Sequence, residues 1–145
     1  MVGTKLSLLV PVDFSPTSLK ALREGRRLAD RMGASLTLLH VRPISDIRAA
    51  MAEGREDLLK GPPRALTAAM KSHYAVRLAG LVGRSGALET RLASGRASRE
   101  ILRAAKVFDI VVMGRTGRGG LSGLLGGTTQ KVLAACPLPV VVVPA

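Results

Sequence analysis

The residues with the clearest capacity for chemistry are glycines. From Asp109 to Lys131 the chain reads DIVVMGRTGRGGLSGLLGGTTQK: an apolar strand-like run, a loop with seven glycines between Gly114 and Gly127, then a helix-like segment. Glycine permits positive φ and lets backbone N–H groups approach a ligand with no Cβ in the way. A helix starting behind the loop adds unpaired N–H groups and a dipole, both of which attract an anion. Ordering so many glycines costs entropy that a bound ligand would offset. The pattern is that of a phosphate cradle.

Spacing discriminates among phosphate loops. A dinucleotide fold needs G-x-G-x-x-G after the first strand, with an acidic residue roughly 20 positions later. Here Gly117-Arg118-Gly119 is followed by Ser122 where glycine or alanine is required, and it lies far along the chain. A P-loop needs G-x-x-x-x-G-K-[ST], and no glycine in this chain precedes a lysine. What remains is Gly114-x-x-Gly117, eight or nine residues, then Gly126-Gly127-Thr128-Thr129.

Other chemistries find less support. No Ser/His/Asp arrangement can be placed, and the loop holds no lysine to stabilise a transferring phosphoryl group. Turnover is expected to be slow or absent. Cys136 is the single cysteine, so a thiolate metal site and an intramolecular disulfide are both excluded. It reads as a small apolar filler before Pro137. His40 reads as a buried strand residue and His73 as a packing residue on the apolar side of a helix. The net charge of +12 attracts polyanions, but the 22 cations are scattered and the aromatics are only Phe14, Tyr74 and Phe108. A nucleic-acid or anionic-membrane partner is therefore not expected, and a basic solvated surface is.

The elements that must position the glycine loop follow from apolar periodicity. At 145 residues one domain spanning 1–145 is expected. Apolar runs stay well below the roughly 18 residues of a membrane span, and the amino terminus lacks a leader pattern, so a soluble, cytoplasmic protein is expected. Leu6 to Val12 is a nearly unbroken apolar run, as a strand buried on both faces reads. Ser15-Pro16 supplies an N-cap and a first-turn proline. The helix they open carries Leu22, Gly25, Ala29 and Met32 on its inner side and stops at Gly33. Ser35 to Val41 is a second strand.

Asp46 to Lys60 has helical composition and breaks at Gly61-Pro62-Pro63, giving an exposed excursion. A crossover helix follows from Arg64 to about Leu81, with Leu66, Met70, His73 and Val76 as its apolar side. After Gly83 to Gly86, Leu88 to Ala93 alternates as a strand nearer an edge would. A helix from about Ser98 buries Ile101, Ala104, Ala105 and Phe108, and Asp109 ends it. Ile110 to Met113, Thr128 to Ala135 and Val140 to Val143 complete a βαβαβαβαβ alternation. Such a chain forms an α/β fold, a doubly wound, five-stranded parallel sheet sandwiched between helices. Ligands of these folds sit beyond the strands' carboxyl ends. Pro11-Val12-Asp13, His40-Val41 and Met113-Gly114 are expected at one crevice. The apolar last strand needs cover, which a partner chain would supply.

Four segments resemble the universal stress proteins in the order of that family: LLVPVDFSPTSLKAL, GASLTLLHV, DIVVMGRTGRGGLSGLL and KVLAACPLPVVVVP. The resemblance covers nearly the whole chain except Pro43 to Gly86. It implies the adenine nucleotide alpha hydrolase-like fold and the ATP-binding subgroup, which carries G-x-x-G, nine residues, then G-[ST]. It implies ATP (or ADP or AMP) as ligand, with Mg as the accompanying ion. Asp13 then contacts adenosine with Pro11 and Val12 beside it, and Val41 lines the adenine pocket. Met113 and Gly114 end the fourth strand, Gly117 begins the phosphate loop, and the terminal glycine and hydroxyl hold phosphate. Arg115 and Arg118 add charge there.

Nine residues counted from Gly117 lead to Gly127-Thr128. Counting back from Lys131 leads to Gly126 after eight, with Gly127 in place of a serine. Either way the loop is one residue short, and Gly126, Gly127, Thr128 and Thr129 together offer consecutive N–H groups and two hydroxyls. The resemblance also implies a homodimer through Val140 to Val143. The function expected is ATP-dependent regulation in a stress response. Slow ATP hydrolysis or phosphate transfer is one alternative, and a basic nucleic-acid- or membrane-binding protein with a vestigial loop is the other.

Overall fold

The computed structural model describes residues 4–43, 68–82, 88–116 and 125–145. In chain order these form β1 (Ser7–Pro11), α1 (Pro16–Met32), β2 (Ser35–Pro43), α2 (Ala68–Val82) and β3 (Leu88–Gly95). Then come α3 (Ala97–Ala105), β4 (Ile110–Gly114), α4 (Gly127–Ala135) and β5 (Val140–Val143). All neighbouring strands are parallel, in the order β3-β2-β1-β4-β5. The excursion expected over Asp46 to Lys60, its Gly61-Pro62-Pro63 break and the Gly83 to Gly86 turn lie outside the described residues.

Side-chain alternation divides the core into two layers. Leu8, Val10, Leu36, Leu38 and Val112 lie in one cluster with Ala21, Leu22 and Ala29 of α1 and Leu78 of α2. Leu9, Leu39, Val41, Val111 and Met113 lie in the other with Ile101 and Ala105 of α3 and Val132 of α4. β1 is central, and Leu8, Leu9 and Val10 are completely buried. Each such side chain contributes about 1.5–3 kcal/mol by leaving water.

Helix α1 opens as its sequence dictates: Ser15 Oγ accepts from Ser18 N–H at 3.2 Å, and Pro16 occupies the first turn. It closes on Gly33 at φ +61°, which glycine adopts without strain. Gly25 lets α1 approach β1 closely, since a Cβ there would stand 2.8 Å from Val10 Cγ2. Met32, expected on the inner side, is instead exposed, because it lies in the last turn just before Gly33 closes the helix.

β2 continues to Pro43, beyond the expected Val41, because β3 pairs with it along its length, Arg42 opposite Ser94 and Pro43 opposite Gly95. β3 is an edge strand, as its alternation indicates. The buried face of α2 differs from expectation: Tyr74 and Leu78 face the sheet, while His73 is exposed and Val76 is 75% exposed. Leu66 and the Met70 side chain lie outside the described residues. The apolar residues of α2 occupy several sides, so its periodicity does not select one. Among the described residues, no helix is long and apolar enough to cross a membrane.

The start of β4 is tied to that of β1 by Asp109, whose Oδ2 accepts from Ser7 N–H at 2.8 Å and from Ser7 Oγ at 3.2 Å. The two strands register only at Leu8 with Ile110 and Leu9 with Val111, whereas β1 pairs with β2 through Pro11. The chain reverses its winding direction here, and the carboxyl ends of β1 and β4 leave a crevice between them.

Candidate functional site

A cavity of about 260 Å³ lies at that crevice. From β1 and the turn after it come Pro11, Val12 and Asp13; from β2, Leu39 and Val41; from β4, Met113 and Gly114. Helix α4 brings Gly126, Gly127, Thr128 and Thr129 to the same cavity. All of these except Leu39 are expected site residues. Arg115 is not among the lining residues. Its backbone instead joins β4 to β5 and to the start of α4, its N–H donating to Val143 O at 2.8 Å and its carbonyl accepting from Gly126 N–H at 2.9 Å. Gly117 and Arg118 lie outside the described residues.

His40, expected at the crevice with Val41, faces the other layer. Successive strand residues point to opposite faces, so Val41 and Leu39 line the cavity while His40 packs between Phe14 and Tyr74, with ring centroids 4.6 and 4.7 Å away. Its Nδ1 lies 2.7 Å from Val12 O. A carbonyl only accepts, so Nδ1 carries the proton in that bond.

The Asp13 turn is built by short-range hydrogen bonds. Asp13 Oδ1 accepts from Ser15 N–H at 3.0 Å, the Asx-turn habit of aspartate, and Asp13 N–H donates to Ser18 Oγ at 3.3 Å. Ser18 Oγ in turn donates to Ser15 O at 3.0 Å. The turn is completed by Phe14 at φ +64°, a left-handed conformation unusual for a bulky residue. Aspartate thus shapes the strand end while Ser15 caps the helix, as the Ser15-Pro16 pair indicates.

On the opposite wall, α4 begins at Gly127 behind Gly126, and among the described residues no side chain caps it. Among the described residues its first-turn N–H groups therefore have no side-chain acceptor, and they sit at the cavity. Thr129 Oγ1 donates to Gly114 O at 2.9 Å and pins the helix to β4. Thr128 Oγ1 bonds none of the described residues, which leaves its hydroxyl available at the cavity. Gly114 is required for packing: a Cβ there would meet Thr17 Cγ2 at 2.8 Å and the Thr17 carbonyl carbon and oxygen at 3.1 Å.

Five lining residues were not expected at the site: Leu39, Ser18, Ala97, Ile101 and Thr116. Leu39 follows from Val41 by alternation, and Ala97 lies one turn before the apolar Ile101 on α3. Thr116 sits inside the G-x-x-G step. Only Ser18 lacks a sequence signal, since its place depends on the Asp13 turn. Among the described residues, no three His, Cys, Asp or Glu side chains cluster as a metal site would require.

Comparison with known proteins agrees with this architecture. The model of the Universal stress protein family matches residues 7–144. A universal stress protein of Mycolicibacterium smegmatis is 33% identical over 144 residues, spanning 97% of this chain but 46% of its own length. The solved structure of universal stress protein UspA from Lactobacillus plantarum superimposes with a TM-score of 0.71 at 26% identity, covering 98% of this chain and 99% of that one. A universal stress protein solved in complex with cAMP shares the fold, with a TM-score of 0.61 at 18% identity over 98% of each chain.

Proposed function

Because the chain belongs to the universal stress protein family, we propose that the cavity between β1 and β4 binds an adenine nucleotide, ATP first among them. On this reading the protein serves a stress response by regulation rather than by dedicated catalysis. The observation that carries the reading is the composition of the cavity's two walls. One is apolar, with Pro11, Val12, Leu39, Val41, Ile101 and Met113, as a flat heteroaromatic base requires. The other is a helix start with Gly126, Gly127 and Thr128 and no side-chain cap among the described residues, as a phosphate requires. The relative solved with cAMP adds that an adenine nucleotide suits this fold.

The roles follow from the chemistry of each group. The Asp13 carboxylate only accepts, so it would take hydrogen bonds from hydroxyl or amino groups of adenosine. The α4 N–H groups and the Thr128 hydroxyl would hold phosphate, and Gly117 and Arg118 are proposed to join them. Thr129 is committed to Gly114 O, which supports Thr128 as the hydroxyl that would bind phosphate. Magnesium would enter with the nucleotide, held by phosphate oxygens. The valines of β5 form the other sheet edge, with Val141 exposed, and suit a homodimer built on Val140 to Val143 in a cytoplasmic setting.

Mass spectrometry of the supernatant from heat-denatured, freshly purified protein tests the reading. An adenine nucleotide is expected, and Asp13→Ala or Gly117→Val should remove it. Apoprotein with no affinity for ATP, ADP or AMP would refute it. Sustained ADP release abolished by the same substitutions would move the assignment to a hydrolase. Salt-dependent DNA or vesicle binding insensitive to them would move it to the basic surface.

A further inference from the structure

Phe14 is held in its left-handed conformation by groups on both sides of the sheet. Such a backbone state persists where the surroundings over-determine it. On the cavity side, Asp13 is bonded to Ser15 and Ser18, and Val12 N–H donates to Leu39 O at 2.8 Å. On the far side, Val12 O accepts from His40, and the His40 ring packs on those of Phe14 and Tyr74. The Arg77 guanidinium carbon lies 3.8 Å above the Phe14 ring centre, well within cation–π range.

Tyr74 and Arg77 stand three residues apart on α2, a helix that contributes no lining residue to the cavity among the described residues. The same three-residue stretch, Val12 to Phe14, is therefore cavity wall on one side and a grip for α2 on the other. We propose that α2 is mechanically coupled to this site, with Arg77 and Tyr74 as positioning residues that hold Phe14 and thereby set where the Asp13 carboxylate points. The coupling runs both ways, so occupancy of the cavity stabilises α2, whose outer surface at His73 and Val76 would report it. Only this ligand-dependent part rests on the adenine-nucleotide reading. A helix that registers occupancy without touching the ligand gives a regulatory protein an output face away from its binding site.

Arg77 is exposed, so Arg77→Ala should fold. Amide hydrogen exchange of the nucleotide-free protein is the first measurement. A cation–π contact of ordinary strength corresponds to roughly 2- to 30-fold in an equilibrium. The amides of Asp13, Ser15 and Ser18 should exchange faster by about that factor in Arg77→Ala, with those of β4 unchanged. Arg77→Lys, which retains a cation, should recover much of the protection. Phe14→Gly adopts positive φ freely and has no ring, so in that background Arg77→Ala should have no further effect.

Calorimetric titration with ATP is the second measurement. The Kd should rise in Arg77→Ala by a similar factor, and ATP should slow exchange across α2 in the wild type. Wild-type exchange rates at Asp13 to Ser18 in Arg77→Ala, acceleration equal throughout the sheet, or failure of lysine to rescue would each overturn the coupling. A wild type without ATP affinity would remove the nucleotide reading, while the nucleotide-free exchange comparison still decides the coupling.

Discussion

Gly114 and Gly127 both line the cavity, but alanine should fail differently at each. A Cβ on Gly114 would lie 2.8 Å from Thr17 Cγ2 and 3.1 Å from the Thr17 carbonyl carbon and oxygen. Carbon atoms pack best at about 3.5–4.0 Å, so the first turn of α1 must retreat by roughly half an ångström or more. Overpacking of this degree costs about 1–3 kcal/mol. At this chain length roughly 4 °C of melting temperature accompanies each kcal/mol, so Gly114→Ala should melt about 4–12 °C below the wild type. Thr17→Ser removes the methyl contact but leaves both backbone contacts, so it should return only part of the loss. No described residue would come within 4 Å of a Cβ on Gly127, which stands in the first turn of α4, where alanine is the better helix former. Gly127→Ala should melt at or slightly above the wild-type temperature while ATP affinity falls, because a Cβ then shields N–H groups at the cavity. Circular dichroism melts with an ATP titration separate the two. A Gly114→Ala protein as stable as wild type, or a Gly127→Ala protein losing many degrees, would refute the assignment of one glycine to packing and the other to ligand.

Thr129→Val deletes the hydroxyl that pins α4 to Gly114 O and should cost about 1–3 kcal/mol in chemical denaturation, with Thr129→Ser close to neutral. Thr128→Ala should leave that stability unchanged and weaken ATP binding in calorimetry. Ser15→Ala removes the α1 N-cap and should lower stability by about 1 kcal/mol, read from the urea midpoint. Val141→Lys places charge on the exposed edge strand, and on the proposed homodimer reading light scattering should report a dimer for the wild type and a monomer for the variant.

Much of the fold is legible because its strands carry a strong local signal. The apolar runs of β1 and β4 and the Ser15-Pro16 cap with Gly33 mark their elements without reference to the rest of the chain. Legibility fails where a decision belongs to tertiary packing. Helix α2 has apolar or small residues on several sides, and Tyr74 with Leu78 seats it, turning His73 and Val76 outward. At the site, alternation on β2 predicts both that Leu39 accompanies Val41 and that His40 does not. Strand ends read as blocks lose that information. Ser18 is of another kind, since its place at the cavity requires the Asx turn of Asp13 and the left-handed Phe14. On the ambiguity over eight or nine residues in the loop Thr129 bears directly: both threonines line the cavity, but the Thr129 hydroxyl is bonded to Gly114 O.

The hydrogen bond from Ser7 to Asp109 joins residues 102 apart, and it marks the seam between β1 and β4. During synthesis β1 and β2 emerge together, but the second neighbour of β1 follows about a hundred residues later. At ribosomal rates of about 5–20 residues per second that interval is roughly 5–20 s. Through it Leu8, Leu9 and Val10 belong to an open sheet edge, the kind of surface that invites wrong pairing and chaperone capture. Contacts this distant in sequence also form slowly once the chain is complete. The cavity lies at this seam, so it is among the last features of the molecule to assemble, and a nascent chain can gain nothing from a ligand until the carboxyl-terminal third has been made.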